Sequence, residues 1–153
     1  MTLNCYIYNK IFKNCYNMKN ILVLGLGKVG TLVGVLLSKN FNVSGLDQNK
    51  PHYDFKLPFN VIETDVKNKE NLINIFKDFD TVVSALPFFL NKNIAKIAYD
   101  LEMNYFDLTE DIETTDYIKN LSEDSKKIMA PQCGLAPGLI GIIGNDLASE
   151  FDT

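Results

Sequence analysis

The sequence predicts a doubly wound α/β domain built on a parallel sheet. Short apolar runs alternate along the chain with segments whose apolar residues recur at helical spacing, and strands separated by helices pair in parallel. A glycine-rich turn joins the first apolar run to the first helical segment. The chain has 153 residues, of which 46% are apolar and 22% charged, which suits one soluble domain with its own core.

Six strands and five helices are predicted from residue 21 onward, and a loop rather than a helix joins the second strand to the third. The run at 21–25 (ILVLG) is rich in leucine and β-branched residues, as expected for a strand that is buried on both faces. A polar loop containing Pro51 and Pro58 separates the second strand from the third. The further elements are predicted over 28–39 (helix), 42–47 (strand), 59–65 (strand), 70–78 (helix), 81–85 (strand), 91–101 (helix), 103–107 (strand), 112–125 (helix), 126–131 (strand) and an apolar helix from about 139.

Composition excludes several classes of function. The formal net charge of −4 argues against a nucleic-acid surface, which needs a basic stripe. All 15 basic residues are lysines, so no arginine fork is available to clamp a carboxylate or a phosphate. No apolar run is long enough to span a bilayer. Cys5, Cys15 and Cys133 lack metal-ligand spacing and a secreted disulfide pattern, which predicts a cytoplasmic protein without a metal site.

The N-terminal segment is predicted to stand apart from the domain. Residues 1–18 mix Asn, Lys and Tyr without an apolar signal region, and Met18 directly precedes the first strand. We therefore expect a disordered extension over 1–18 and a domain over 19–153. The single histidine, His52, lies in the proline-bounded loop and is interpreted as an exposed bystander.

The turn GLGKVG at residues 25–30 matches the pattern G-x-G-x-x-G. It follows a predicted strand and opens a predicted helix, and an acidic residue ends the next strand about 20 residues later. Gly25 permits the tight turn, Gly27 lets the backbone approach a pyrophosphate, and Gly30 lets the helix pack closely on the strand. This combination predicts a Rossmann-type dinucleotide site.

The first helical residues and the acidic residue complete this site. Lys28 and Val29 lie at the helix N-terminus, where free N–H groups and the positive end of the dipole attract phosphates. The Asp47 carboxylate can accept hydrogen bonds from the ribose hydroxyls and would repel a 2′-phosphate. NAD is therefore the predicted cofactor, while Lys50 leaves NADP possible.

Two further carboxylates follow predicted strands and have open interpretations. Asp65, with Val66, either contacts the adenine edge or serves as a helix-cap or turn residue. Asp107 or Thr109 is expected to cap the next helix, and Asp107 alternatively faces an amine or the cofactor.

A corner after the fourth strand is placed beside the nicotinamide half of the crevice. Pro87 restricts the residue before it to extended backbone and so fixes a sharp exit from the strand. Phe88 and Phe89 either line the cofactor pocket or belong to the core, and at least one of them is expected in the core. The predicted cofactor-contacting residues of this corner are Ser84, Ala85, Leu86 and Pro87.

The stretch PQCGLAPG at 131–138 combines prolines with glycines after the sixth strand. Gly134 and Gly138 allow close backbone approach, and the prolines stiffen the path, which predicts a rigid wall beside the nicotinamide. Cys133 is interpreted as a small buried filler, because no base is placed beside it.

Four segments, ILVLGLGKVG, VVSALPFFLN, YFDLTED and PQCGLAPG, in this order and spacing resemble the NAD(P)-binding domain of the saccharopine dehydrogenase family. The first is generic and the other three together are specific. The resemblance implies hydride transfer between a nicotinamide cofactor and a carbon–nitrogen centre of an amino acid or a polyamine. It also implies a substrate and dimerisation domain, which is absent from this sequence. We therefore expect the chain alone to bind dinucleotide without turnover, and to need a separate substrate domain or self-association.

Two alternatives remain beside the oxidoreductase. The glycine turn with Asp47 would also suit a non-catalytic, NAD-sensing regulatory module of the kind attached to potassium channels, and the chain could be an inactive fragment. A sensing module has little use for the corner at Pro87 or for the 131–138 segment. These two features favour the enzyme.

Overall fold

The computed structural model describes residues 18–51 and 53–151; the predicted extension before Met18 and the interpretation of His52 lie outside them. Six strands form one parallel sheet in the order β3-β2-β1-β4-β5-β6, which confirms the doubly wound fold. The strands are β1 (Asn20–Leu24), β2 (Asn42–Asp47), β3 (Asn60–Glu63), β4 (Thr81–Ser84), β5 (Asn104–Asp107) and β6 (Met129–Ala130). The helices of the described residues are α1 (Lys28–Leu37), α2 (Lys69–Phe76), α3 (Phe88–Asp100), α4 (Ile112–Asp124) and α5 (Leu139–Ser149).

Two elements have a boundary that differs from the prediction by three residues. Helix α3 begins at Phe88 rather than at Asn91, because Pro87 occupies the N-cap position, where its missing N–H costs nothing. Strand β6 has two residues rather than six. The Ser125 hydroxyl donates to the carbonyl of Lys127 and accepts from its N–H, so a local turn keeps the preceding residues out of the sheet.

The sheet has a core on each face. Leu22, Leu24 and Leu46 pack with buried side chains of α2, α3 and α4 on one face. Ile21 and Val23 point to the other face, where Leu37 of α1 covers them. Strand β1 is thus buried on both sides, which explains its unbroken apolar sequence.

Helix α5 contrasts with the other helices because none of its residues is buried. Its apolar side chains are about half exposed or more: Leu139, Ile140, Ile142, Ile143 and Leu147. Helix α5 therefore presents an uncovered apolar surface.

Helix α2 is short and depends on its N-cap. The Asn68 side chain accepts a hydrogen bond from the Asn71 N–H at 3.1 Å. We expect Asn68→Ala to lower the free energy of unfolding by about 1 kcal/mol, measured by urea denaturation. Asn68→Asp is the control, because a carboxylate caps as well as an amide and should preserve the stability. An equal loss in both variants would show that the cap does not stabilise α2.

Candidate functional site

The predicted site residues gather at the carboxyl ends of the strands. The glycine turn follows β1, Asp47 ends β2, Ser84 ends β4 and Asp107 ends β5. The strand order reverses between β1 and β4, since β2 lies on one side of β1 and β4 on the other. Ligands of open α/β sheets bind at such a switch point.

The glycine turn has little room for side chains at two of its three glycines. Gly25 has a φ of +82°, and its N–H donates to the Leu46 carbonyl at 2.9 Å. A Cβ on Gly30 would lie 1.8 Å from the Gly25 carbonyl oxygen, so α1 packs against the turn backbone. A Cβ on Gly27 would meet nothing within 4 Å. The fold therefore requires Gly30 for packing, whereas Gly27 borders open space.

The N-terminus of α1 opens onto the same space. Its N-cap, Gly27, offers no side chain to the first N–H groups, and the first turn of α1 holds no acidic residue. Lys28 and Val29 are exposed there. The positive end of the helix dipole is thus uncompensated by the helix itself, an arrangement that suits an anionic group.

The Asp47 carboxylate joins the end of β2 to the glycine turn. One oxygen accepts from the Leu26 N–H at 2.7 Å and the other accepts from the Asn49 N–H at 3.0 Å. An ionised carboxylate has about four acceptor sites, so further positions stay available for hydroxyl donors.

A cleft of about 230 Å³ lies beside Asp47. It brings together five residues that were predicted to bind cofactor, along with four that the sequence did not assign. Its lining residues are Asp47, Gln48, Asp65, Val66, Lys67, Leu86, Pro87, Phe89 and Leu90. The lining combines apolar side chains with two carboxylates, as small-molecule pockets usually do.

The prediction that at least one of Phe88 and Phe89 lies in the core was wrong. Phe88 and Phe89 are 52% and 64% exposed. Their rings pack edge to face, with 5.9 Å between the ring centroids. Because α3 begins at Phe88, both rings fall on its first turn, outside the core.

Asp65 is a turn residue that lines this cleft. Its carboxylate accepts from the Lys67 N–H at 2.9 Å, and the cap of α2 is Asn68 instead. Asp65 is therefore both a turn residue and a lining residue of the cleft, whereas its interpretation as a helix cap was wrong.

Ser84 and Ala85 lie behind the cleft rather than in its lining. Ser84 is fully buried, and its hydroxyl donates to the Asn91 side-chain oxygen at 2.7 Å. The same hydroxyl accepts from the Leu86 N–H at 3.4 Å. The Ala85 N–H donates to the Leu24 carbonyl at 2.8 Å. These contacts fix the path from β4 into α3.

Asp107 is fully buried and its carboxylate is surrounded by donors. It accepts from the Tyr105 hydroxyl at 2.9 Å, from the Thr109 N–H at 3.0 Å and from the Gln132 N–H at 3.2 Å. Desolvation raises the pKa of Asp107, and the three hydrogen bonds oppose that rise. Since the folded pKa exceeds the unfolded one, this group's contribution to stability falls as the pH rises through the folded pKa.

The cap of α4 is Asp111, not Asp107 or Thr109 as predicted. The Asp111 carboxylate accepts from the Thr114 N–H at 2.8 Å. Hydrogen bonding to the side chain and then to the N–H of Thr114 lowers the pKa of Asp111. Asp107 is not free to cap, because the chain at Gln132 and Tyr105 already donates to it.

The segment 131–138 forms a turn on the surface, and the interpretation of Cys133 as a buried filler was wrong. The Cys133 side chain is exposed, with its thiol near the carbonyls of Ala130 and Pro131. Partial desolvation and the nearby Asp107 raise the pKa of this thiol, which therefore stays protonated and weakly nucleophilic near neutrality.

Neither metal-binding clusters nor membrane spans are found in the described residues. No group of three or more His, Cys, Asp or Glu side chains lies close enough within 18–51 and 53–151 to hold a metal ion. Over the same residues, no helix has the length and apolar character needed to cross a membrane.

Solved structures share this fold. The apo saccharopine dehydrogenase (L-Glu forming) of Saccharomyces cerevisiae matches with a TM-score of 0.67 and 22% identity, over 86% of this chain and 31% of its own. The Kef CTD of Shewanella denitrificans in AMP-bound form matches with a TM-score of 0.60 and 17% identity, over 88% and 84%. The GsuK channel matches with a TM-score of 0.60 and 15% identity, over 86% and 24%.

At 15–22% identity, these structural matches show that the fold is shared and nothing more. The family of the chain is shown by comparison of sequences. No curated protein matches the chain in sequence. The model of the saccharopine dehydrogenase NADP binding domain matches residues 21–132, from β1 to the turn after β6 and thus well over half of the chain. The chain therefore belongs to the family of saccharopine dehydrogenase NADP-binding domains.

Proposed function

We propose that this chain binds a nicotinamide dinucleotide, NAD in preference to NADP, and serves an oxidoreductase that acts at a carbon–nitrogen centre of an amino acid or a polyamine. The observation that carries the proposal is the open space at Gly27, which adjoins the N-terminus of α1 and the carboxylate of Asp47. A pyrophosphate fits the first two features and a ribose fits the third.

The adenosine half is assigned to the cleft beside Asp47. Asp65 and Val66 lie on one side of it, and Leu86 and Pro87 lie on the other. A planar adenine is apolar on its faces and polar at its edge, which matches a lining that combines apolar side chains with carboxylates. Gly25, Gly30, Ser84 and Ala85 would support this site from behind through the contacts described above.

The preference for NAD is supported by charge. A 2′-phosphate would approach the Asp47 carboxylate, and the chain has no arginine to compensate the repulsion. Lys50, close to Asp47 in sequence, is the nearest candidate for that role. The family is described as NADP-binding, so the proposed preference of this chain for NAD departs from that description.

We propose that the substrate is held by a second unit packed on the uncovered surface of α5. Hydride transfer needs the substrate carbon within roughly 3–3.5 Å of the nicotinamide in a fixed orientation. A substrate domain of the kind that the resemblance to saccharopine dehydrogenases implies would bury the apolar side chains of α5 and supply that orientation. The alternative occupant of this surface is a second copy of the chain. The exposed free thiol of Cys133 suits a reducing cytoplasm.

A calorimetric titration with NADH and NADPH tests the proposed function. NADH should bind roughly tenfold or more tightly than NADPH, which corresponds to about 1.4 kcal/mol. Asp47→Asn should narrow this gap, because the amide removes the charge but still accepts from the Leu26 N–H. Glu63→Gln is the control, since Glu63 is exposed on β3 directly beside Asp47 and does not line the cleft.

Four results would count against the proposal. The absence of dinucleotide binding would reject it altogether, and a preference for NADPH would reject the choice of cofactor. Oxidation of saccharopine, lysine or carboxynorspermidine by the chain alone, followed as steady NADH formation, would reject the need for a second unit. If AMP binds the chain as tightly as NADH does, a nucleotide-sensing module is favoured instead, since the Kef CTD with the same fold has been solved in AMP-bound form.

A further inference from the structure

We propose that Asp107 is a positioning residue that holds the turn at 132–138 in place, so that this turn can form one wall of the nicotinamide half of the crevice. The inference rests on the dinucleotide binding proposed above. It assigns Asp107 an indirect role, in which the carboxylate acts through the backbone of the turn without touching the cofactor.

Asp107 is attached to the turn by both its side chain and its main chain. The Gln132 N–H donates to the carboxylate at 3.2 Å, and the Cys133 N–H donates to the Asp107 carbonyl at 2.7 Å. Gln132 has a φ of +63°, a left-handed conformation that is uncommon for a residue other than glycine. Two donors from consecutive residues to one partner provide the contacts that maintain this conformation.

The rest of the turn follows Gln132 and Cys133 as one compact unit. The backbone of Gly134 bridges to Gly138, and the Leu139 N–H donates to the Gly134 carbonyl at 3.0 Å. Gly138 has a φ of +130°, and a Cβ there would lie 2.3 Å from the Gly134 carbonyl oxygen. A displacement at Gln132 would therefore move the whole 132–138 turn and the start of α5.

Asp107 itself is not available to a ligand. It is fully buried, and its two carboxylate oxygens already accept from Tyr105, Thr109 and Gln132. None of the ion pairs found in the described part of the chain includes it. Backbone donors and one phenol thus stabilise the carboxylate, and these same donors tie it to the turn.

The topology places the turn at the nicotinamide end. Asp47, at the proposed adenosine end, lies on β2, whereas Asp107 lies on β5, on the opposite side of β1. A dinucleotide that crosses the switch point from Asp47 therefore extends toward β4 and β5. The wall formed by the turn would contact the nicotinamide ring and leave the adenosine half untouched.

The test compares ADP-ribose with NADH, because only NADH carries the nicotinamide ring. In Asp107→Ala, ADP-ribose should bind within about twofold of the unmodified chain, while NADH should lose about fivefold or more in affinity. The fluorescence of bound NADH should move toward that of free NADH. Asp107→Asn should show the NADH affinity and the bound-NADH fluorescence of the unmodified chain, because its amide oxygen can accept from the Thr109 and Gln132 N–H groups.

Asp111→Ala is the matched control for destabilisation alone. It removes the cap of α4 in the same loop but leaves the contacts between Asp107 and the turn intact. Both ligands should bind this variant as they bind the unmodified chain. If Asp107→Ala does not fold, Asp107→Ser is used in its place. The shorter serine side chain can still accept from the Thr109 N–H but is not expected to accept from the Gln132 N–H as well.

The inference is overturned if Asp107→Ala weakens both ligands equally, if it weakens neither, or if the unmodified chain binds ADP-ribose as tightly as NADH. Failure of the unmodified chain to bind any dinucleotide would reject the proposed function instead. Hydrogen exchange on the ligand-free chain then still decides whether Asp107 holds the turn. Faster exchange of the Gln132 and Cys133 amides in Asp107→Ala is expected, and unchanged exchange would overturn the inference.

Discussion

Gly30→Ala is expected to disrupt the glycine turn and abolish dinucleotide binding. The added Cβ would lie 1.8 Å from the Gly25 carbonyl oxygen and 3.1 Å from the Ala85 side chain. Because the closest atom is backbone, relief requires α1 to move away from β1, and the free energy of unfolding should fall by about 3 kcal/mol. Urea denaturation measures the stability, and NADH titration measures the binding.

Two other glycines separate folding from binding in this experiment. Gly27→Ala should fold normally, since its Cβ meets nothing within 4 Å, but should lose roughly tenfold or more in NADH affinity because the methyl group occupies the phosphate approach. Gly141→Ala, in α5, should bind NADH normally and gain about 1 kcal/mol in stability. Full NADH affinity in Gly27→Ala would contradict the assigned position of the pyrophosphate.

Phe76→Ala is expected to cause the largest loss of stability, about 3–5 kcal/mol. Phe76 is completely buried, and with Leu72 it attaches the short α2 to the sheet. Its removal leaves a cavity under a helix of eight residues, which has few other buried side chains to hold it. The loss should appear in the midpoint of urea denaturation with an unchanged slope.

The matched control is Phe151→Ala, the same substitution at a side chain that is 75% exposed. This variant should remain within about 0.5 kcal/mol of the unmodified chain. A similar small effect at Phe76 would mean that α2 does not depend on its buried face.

The sequence was informative wherever one local pattern decided the structure. The run in β1 had to be buried on both faces, and the glycine turn had to link it to α1, so both elements were predictable. Local pattern also indicated that a carboxylate at position 47 would end β2. These features depend on spacing over a few residues, which sequence reasoning can evaluate.

The error over the cap of α4 arose where a contact distant in sequence made the choice. Asp107, Thr109 and Asp111 are all residues that can cap a helix, and a donor 25 residues further along the chain, at Gln132, engages Asp107. That choice follows from the assembled fold and has no local signal. The error at Phe89 had a different source, because α3 begins directly after the neighbouring Pro87 and this places Phe89 on its first turn.

The hydrogen bond from the Leu26 N–H to Asp47 has an evolutionary consequence. A lineage that replaced this aspartate with a small apolar residue, and so removed its charge, would also leave the Leu26 N–H without its acceptor. A change of cofactor preference by that route would therefore begin with a less stable turn, and would be favoured only after a second substitution had supplied a new acceptor. An uncharged replacement that still accepts, such as asparagine, offers a path without that intermediate.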